Sequence, residues 1–453
     1  MELLVIVAFC IALLACVATG LPILLALAVG FVLVAAYGLW KGFSVREVLC
    51  MAGCGVWSAR NVLLNFALIG MMCALWRASG TVPSVICYAS EAITPETFLV
   101  MAFVLNCLVS MITGTAFGTS AVMGVVCMTI GQAAGVPLAF LGGAIVSGAY
   151  FGDRCSPVST SALLVSELTG TTVPGNIAGM VKTAAVPFAL CCVVYLVIGL
   201  LTPSAFASPD LMSLFSREIA IQPIALLPIA IVLVLCACRA RVAIALAAGI
   251  AAAAALCIVF QHDSAWDVVQ IAVVGYQAHD SEVGALLSGG GIASMLSVSA
   301  IVCVSSSYAG MFRATGLLDR LRNGVGEVAR RTTPFAATLL ASVGAAMVCC
   351  NQTLAIMLTH QLSDGLERDG HRQALDLENT AVVVSALVPW SIACTVPLMT
   401  IGAPLESLGA ALFLYALPLW QLACSFAHRF RLFGHVDSGH RTRGRVPSQD
   451  SVA

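Results

Sequence analysis

The sequence predicts an all-α polytopic membrane protein of about 10 to 12 transmembrane helices in two inverted repeats, each with a broken helix or re-entrant hairpin. Three observations carry that prediction. Hydrophobic residues fill 60% of the 453 positions and charged residues 9%, with a mean hydropathy of +1.01, whereas soluble domains carry roughly 25% charged residues. The apolar residues fall in blocks of about 17 to 25, enough to cross about 30 Å of hydrocarbon at about 1.5 Å per residue. The second half of the chain repeats landmarks of the first with the loop charges exchanged.

Twelve apolar blocks follow one another: Leu3 to Ala18, Ile23 to Trp40, Val62 to Trp76, Phe98 to Ile130, Leu138 to Gly152, Ala178 to Leu201, Ile219 to Ala237, Val242 to Phe260, Ile292 to Met311, Phe335 to Leu358, Ala381 to Ile401 and Leu405 to Ala427. The chain opens Met1-Glu2 and runs straight into apolar residues, without the basic start and small-residue cleavage site of a secretory signal. Residues 1–21 are therefore expected to stay as an N-terminal transmembrane helix, followed by a first repeat over 22–202, a linker over 203–218, a second repeat over 219–427 and a basic cytoplasmic tail over 428–453. The 19 cysteines lie mostly inside the blocks and lack ligand spacing, which reads as reduced filler.

The repeat is visible at nearly one offset. Trp76-Arg77-Ala78-Ser79-Gly80 closes the third block and Phe312-Arg313-Ala314-Thr315-Gly316 the ninth, 236 residues on (77 to 313). The same offset carries the polar run Thr113 to Thr119 onto Cys349 to Ala355, and Pro157-Val158-Ser159 meets Pro389-Trp390-Ser391 at 232 (157 to 389). Lys and Arg near span ends favour the cytoplasm. Lys41, Arg46 and Arg60 follow the second block, but the counterpart loop from Gln261 to Gly290 has only acids, Asp263, Asp267, Asp280 and Glu282. In the next pair the sign reverses: Glu91 and Glu96 after Arg77, then Arg320, Arg322, Arg330 and Arg331 after Arg313. Equivalent loops thus face opposite sides. Placing Arg239, Arg241 and the tail arginines Arg429, Arg431, Arg441, Arg443 and Arg445 in the cytoplasm requires one segment of each half to fail to cross. Non-helical backbone at membrane depth is tolerated only against protein or a watery cavity, so the interruptions are where a site belongs.

Within Thr113 to Ser120, two glycines and four hydroxyl residues interrupt an apolar run; Thr115 and Thr119 are candidate oxygen ligands for a hard cation. Close helix packing with hydroxyls bonded back to their own helix explains the same composition. The matching run supplies Asn351 and Gln352. Asp153, in Gly152-Asp153-Arg154-Cys155-Ser156-Pro157-Val158-Ser159-Thr160, is the most informative residue. An intramembrane carboxylate is costly and marks an ion or proton path, at which Na+ and a proton compete; the alternative is a static pair with Arg154. Ser156, Ser159 and Thr160 are candidate helpers, as are Glu378 and Asn379, for which helix capping competes with ion binding, and Ser391. His360 with Asp364 reads as solvated surface, and Glu167, Lys182 and Glu406 as span-end residues.

Across Gly148 to Ser159 the chain resembles the NhaC family of sodium/proton antiporters, in the ion transporter superfamily. Leu286 to Leu296, Asn351 to Ile356, Leu377-Glu378 and Leu387-Val388-Pro389-Trp390 agree in the same order. The resemblance implies exchange of Na+ for H+, with some members exchanging organic acids such as malate and lactate. Thr160, Asn379 and Ser391 depart from the family pattern, which has Asp, an acid and Asn at those places; two potential anionic ligands are lost, and the coupling ion is thereby put in question.

The leading expectation is a secondary antiporter at Asp153, aided by Ser156, Ser159, Thr115 and Thr119, with Glu378 from the other half. Its rival is a Na+- or H+-coupled carrier of a small organic acid or amino acid, whose carboxylate would sit at positive half-helix ends. No His-Glu-x-x-His and no Gly-x-Ser-x-Gly is present, which weighs against an intramembrane enzyme; paired interruptions weigh against a passive channel. No cofactor and no resident metal are expected, only transported Na+ and H+, with Na+ at Asp153. The expected partners are the lipid bilayer and a small cation or organic solute, not nucleic acid, with a homodimer left open, and the expected location is the cell membrane.

Overall fold

The computed structural model describes residues 23–92, 95–157, 159–202, 211–238, 240–280, 283–284, 287–315, 321–349, 351–367 and 369–441, with 11, 15 and 19 before them. Most of the first block, part of the linker, Val158, Arg239, Glu282, Arg320, Cys350, Arg443 and Arg445 lie outside the described residues. What is described is all α-helical apart from one isolated bridge between Tyr276 and Gly289.

In lipid every backbone polar group must be satisfied internally, and helices do this within one segment. Among the described residues four helices are long and apolar enough to cross a membrane: Glu96–Thr113, Ala116–Ala133, Val173–Leu201 and Ala243–Phe260. Gly370–Leu387 and Ile392–Ile401 form a pair bent by 57°, which makes a fifth when counted as one span, and six shorter apolar helices lie among the described residues. The protein is therefore an all-α, multi-helix membrane protein.

Several blocks are divided by identifiable backbone devices. The fourth resolves into Pro95–Thr113 and a second helix from Ala116, parted by Gly114 at φ +66°. That second helix contains a π-turn over Ser120–Gly124, a local widening frequent at functional sites. The tenth resolves into Pro334–Cys349 and Gln352–Ser363. Thr115 and Asn351, 236 residues apart (115 to 351), are both extended N-caps whose side chains accept from the next turn.

A second correspondence is sharper. The helix Leu138–Cys155 and its short successor Thr160–Thr169 recur as 370–387 and Ile392–Ile401, every bound 232 residues on (138 to 370, 155 to 387, 160 to 392, 169 to 401). Ser159 and Ser391 cap the short helices at one end, and Gly170 and Gly402, both left-handed, end them at the other.

Some loops are more ordered than block counting implies. The segment holding Arg46 is the helix Val45–Ser58, opened by a reciprocal Ser44–Glu47 capping box, and Ser264–Asp267 opens Ala265–Val274 in the same way. The last helix, Leu412–Arg441, carries the chain into the expected tail.

Leu138–Cys155 lies at the centre of the packing, most extensively against Pro95–Thr113. Gly148 and Gly152 make that approach possible: a Cβ on Gly148 would stand 2.5 Å from the Phe103 carbonyl oxygen, and one on Gly152 2.3 Å from Ser110 Cβ. On another face, the Tyr195 hydroxyl donates to the Ala410 carbonyl at 2.7 Å and shares a hydrogen bond with Ser147 at 2.9 Å. This rigid central helix carries Asp153 and Arg154 in its last turn.

Candidate functional site

Asp153 is 4% exposed, and its Oδ2 accepts from the Ser161 hydroxyl at 3.2 Å and the Gln352 amide at 3.1 Å. The Ser159 hydroxyl and the Ala116 backbone N–H also reach the carboxylate. Each donor belongs to a helix start. Ala116 opens the helix after Gly114, Ser159 and Ser161 begin Thr160–Thr169, and Gln352 is the first residue of Gln352–Ser363. Unpaired N–H groups and the positive end of the helix dipole favour an anion at all three places. Gln352 donates from the same nitrogen to the Val382 carbonyl at 3.0 Å, which fixes its amide orientation.

Arg154 turns away from Asp153. It is fully buried, with Nη1 donating to the Met180 carbonyl at 2.9 Å and to Cys155 Sγ at 3.2 Å, and Nη2 to Thr183 Oγ1 at 2.7 Å and Asn379 Oδ1 at 2.5 Å. The static Asp153–Arg154 pair is therefore not formed, because the guanidinium fork is spent on Val173–Leu201 and on Asn379.

Glu378 and Asn379 end the helix Gly370–Asn379 instead of opening one; its cap is Asp369. The capping alternative for these two residues is thus set aside. Glu378 is fully buried and neither carboxyl oxygen has a hydrogen-bond partner, nor do Asn379 Nδ2 and Arg154 Nε.

The other anticipated residues divide. Ser159 and Gln352 are at the carboxylate, while Thr115 and Asn351 cap the helices whose starts face it. The Thr119 hydroxyl shares a 2.8 Å bond with Thr113 and bonds back to the Thr115 carbonyl at 2.9 Å. Ser156 donates to the Met111 carbonyl at 2.7 Å. Ser391 is buried as the cap of Ile392–Ile401, accepting from Ala393 N, and is not among the groups at Asp153. Thr160 is exposed and is not brought to the site, since it begins its helix on the face away from Asp153. Glu167, Lys182 and Glu406 are exposed, in keeping with span-end positions. Sequence reading missed Ser161, the Ala116 N–H, Thr183 and Arg154 as a separate member. Ser161 had a signal, two residues beyond a capping serine; Thr183, on a distant helix, had none.

Two cavities with charged residues in their walls lie away from Asp153. One of about 650 Å³ is lined in part by Arg330 and Glu367 and by Arg372 and Asp376 of the helix Gly370–Asn379. The other, about 570 Å³, is lined by Glu218, Asp263, Asp267 and Tyr276; there burial, reinforced by the Asp267 charge, raises Asp263 above the usual carboxylate range.

Buried carboxylates and an arginine among broken apolar helices are the equipment of a secondary-active membrane transporter, not of an enzyme. The chain belongs to the Na+/H+ antiporter family, whose sequence profile matches residues 75–172 and 148–417. It is 28% identical over 357 residues to an uncharacterized Na+/H+ antiporter of Haemophilus influenzae, covering 75% of this chain and 76% of that one. It is 27% identical to a malate-2H+/Na+-lactate antiporter of Bacillus subtilis, over 82% of both chains. To the Na+/H+ antiporter NhaC of Bacillus subtilis it is 25% identical, over 88% of this chain and 91% of that one.

Proposed function

We propose that the protein exchanges Na+ for H+ across the cell membrane, at a midplane site centred on Asp153 with Glu378 contributing from the second half. The carrying observation is the 3.1 Å hydrogen bond from Gln352 to Asp153, which ties the carboxylate of one half to a helix start of the other. A cation arriving at Asp153 displaces donors: the Ser159 and Ser161 hydroxyls rotate to present lone pairs, and a turned Gln352 amide offers its oxygen. We read the 232-residue correspondence as an inverted duplication of about 10 to 12 spans, with the C-terminus cytoplasmic. Rocking of one repeat against the other would then expose the site alternately.

A second reading, coupled carriage of a small organic acid or amino acid, is favoured by one feature. The donors around Asp153 are also the set that would hold a transported carboxylate beside helix N-termini. The relative named a malate-2H+/Na+-lactate antiporter points the same way.

The test is the fluorescence of a pH dye inside proteoliposomes of purified protein, with Na+, Li+ or K+ added outside and no organic solute. Na+-driven proton movement that disappears in Asp153→Asn supports exchange at this carboxylate. Full pH-dependent exchange in Asp153→Asn would sink the site assignment. Silence with every cation turns the case to the carrier, to be followed with labelled acids and amino acids.

A further inference from the structure

Among the described residues three charged side chains are buried: Asp153, Arg154 and Glu378. They form one electrostatic cluster, for the charges acting on Glu378 are those of Arg154 and Asp153. Tyr150 and Cys155 are buried beside Asp153 and Arg154 on the same helix. The partners of Arg154 are a carbonyl, a thiol, a hydroxyl and an amide oxygen; none is a carboxylate.

We propose that Arg154 is the fixed third charge of the exchange site, standing where a second cation would otherwise be needed and limiting the cycle to one Na+ for one H+, without net charge movement. The inference rests on the Na+/H+ reading and adds its stoichiometry.

A guanidinium keeps its proton in proteins. With both carboxylates ionised, two negative charges and one positive leave the cluster at a net −1. One Na+ brings that to zero, and so does one proton. A net charge near the bilayer centre is costly, so the two neutral forms are the ones that cross. Na+ leaves with one form and H+ returns with the other, and the charges balance. Without Arg154 the same two carboxylates would demand two monovalent cations for neutrality. Its hydrogen bonds to Met180, Thr183 and Asn379 attach the guanidinium to protein groups, so it stays when the cargo leaves.

The experiment uses the full chain in proteoliposomes, with Na+-driven proton flux read by an internal pH dye. Potassium and valinomycin clamp the membrane potential at zero or about 100 mV. One net charge per cycle would displace the exchange equilibrium about 50-fold per 100 mV; the expected displacement is none, with flux stopping where the Na+ and H+ ratios are equal. A potential-dependent null point overturns the proposal while leaving Na+/H+ exchange standing. Absence of Na+-driven flux takes down the exchange reading and this inference together.

Arg154→Lys keeps the charge and is expected to remain potential-insensitive. Arg154→Gln leaves two carboxylates that demand two monovalent cations for neutrality, so the Na+ dependence of its flux is expected to turn from hyperbolic to sigmoidal; an unchanged hyperbolic dependence in a folded variant refutes the role. Should Arg154→Gln fail to fold, the wild type and Arg154→Lys still decide.

Discussion

Replacing Gln352 by Leu tests the proposed cation site with little change in side-chain volume. The amide donates to Asp153 Oδ2 at 3.1 Å and to the Val382 carbonyl at 3.0 Å, and leucine leaves both acceptors short of a donor. A hydrogen bond to a charged group contributes about 1.5 to 3 kcal/mol. If the ionised, cation-competent form of Asp153 loses that support, its population falls by about 10- to 150-fold relative to competing forms. The apparent affinity for Na+ should weaken in proportion, since it scales with the competent fraction. Maximal rate at saturating Na+ should change far less. Initial rates of radioactive Na+ uptake into proteoliposomes, over a wide Na+ range at fixed pH, measure both. An unchanged half-saturating concentration in a folded Gln352→Leu protein refutes the reasoning, because Asp153 would then bind no cation or need no help from the second half.

Further consequences concern packing and caps. Gly152→Leu drives a side chain into Ser110 and Met111, where even a Cβ has neighbours at 2.3 and 2.4 Å; it should cost at least about 1 to 3 kcal/mol and lower the thermal midpoint in detergent. Tyr195→Phe removes the hydroxyl shared by Ala410, Leu412 and Ser147 and should destabilise by about 1 to 3 kcal/mol, read in the same melt. Glu47, outside the spans, is held below the ordinary carboxylate range by hydrogen bonds from the Ser44 backbone and hydroxyl. A depressed folded value means that the cap's contribution is present above the ordinary range and lost as pH falls through the folded value. Protection of the Glu47 and Val48 amides, taken relative to the intrinsic exchange rate at each pH, should therefore fall in acid, and Glu47→Gln should abolish that pH dependence.

Composition and block length were enough to establish a helical membrane protein, because lipid admits few other backbones. Asp153 was legible for a related reason: a carboxylate in an apolar run is too costly to be incidental. The capping residues Thr115, Ser159, Asn351 and Ser391 also stood out, since polar residues that stop and restart a helix leave a local signature. Other parts of the site depend on contacts between segments far apart in the chain. Thr183 and Met180 meet Arg154 across more than 25 residues, and Gln352 meets Asp153 across 199. No periodicity records such approaches. Sequence alone left Arg154 as a neighbour of Asp153, one residue away and opposite in charge. Only tertiary structure decided otherwise: successive residues on a helix point about 100° apart, so Asp153 faces the converging helix starts while Arg154 is delivered to Asn379.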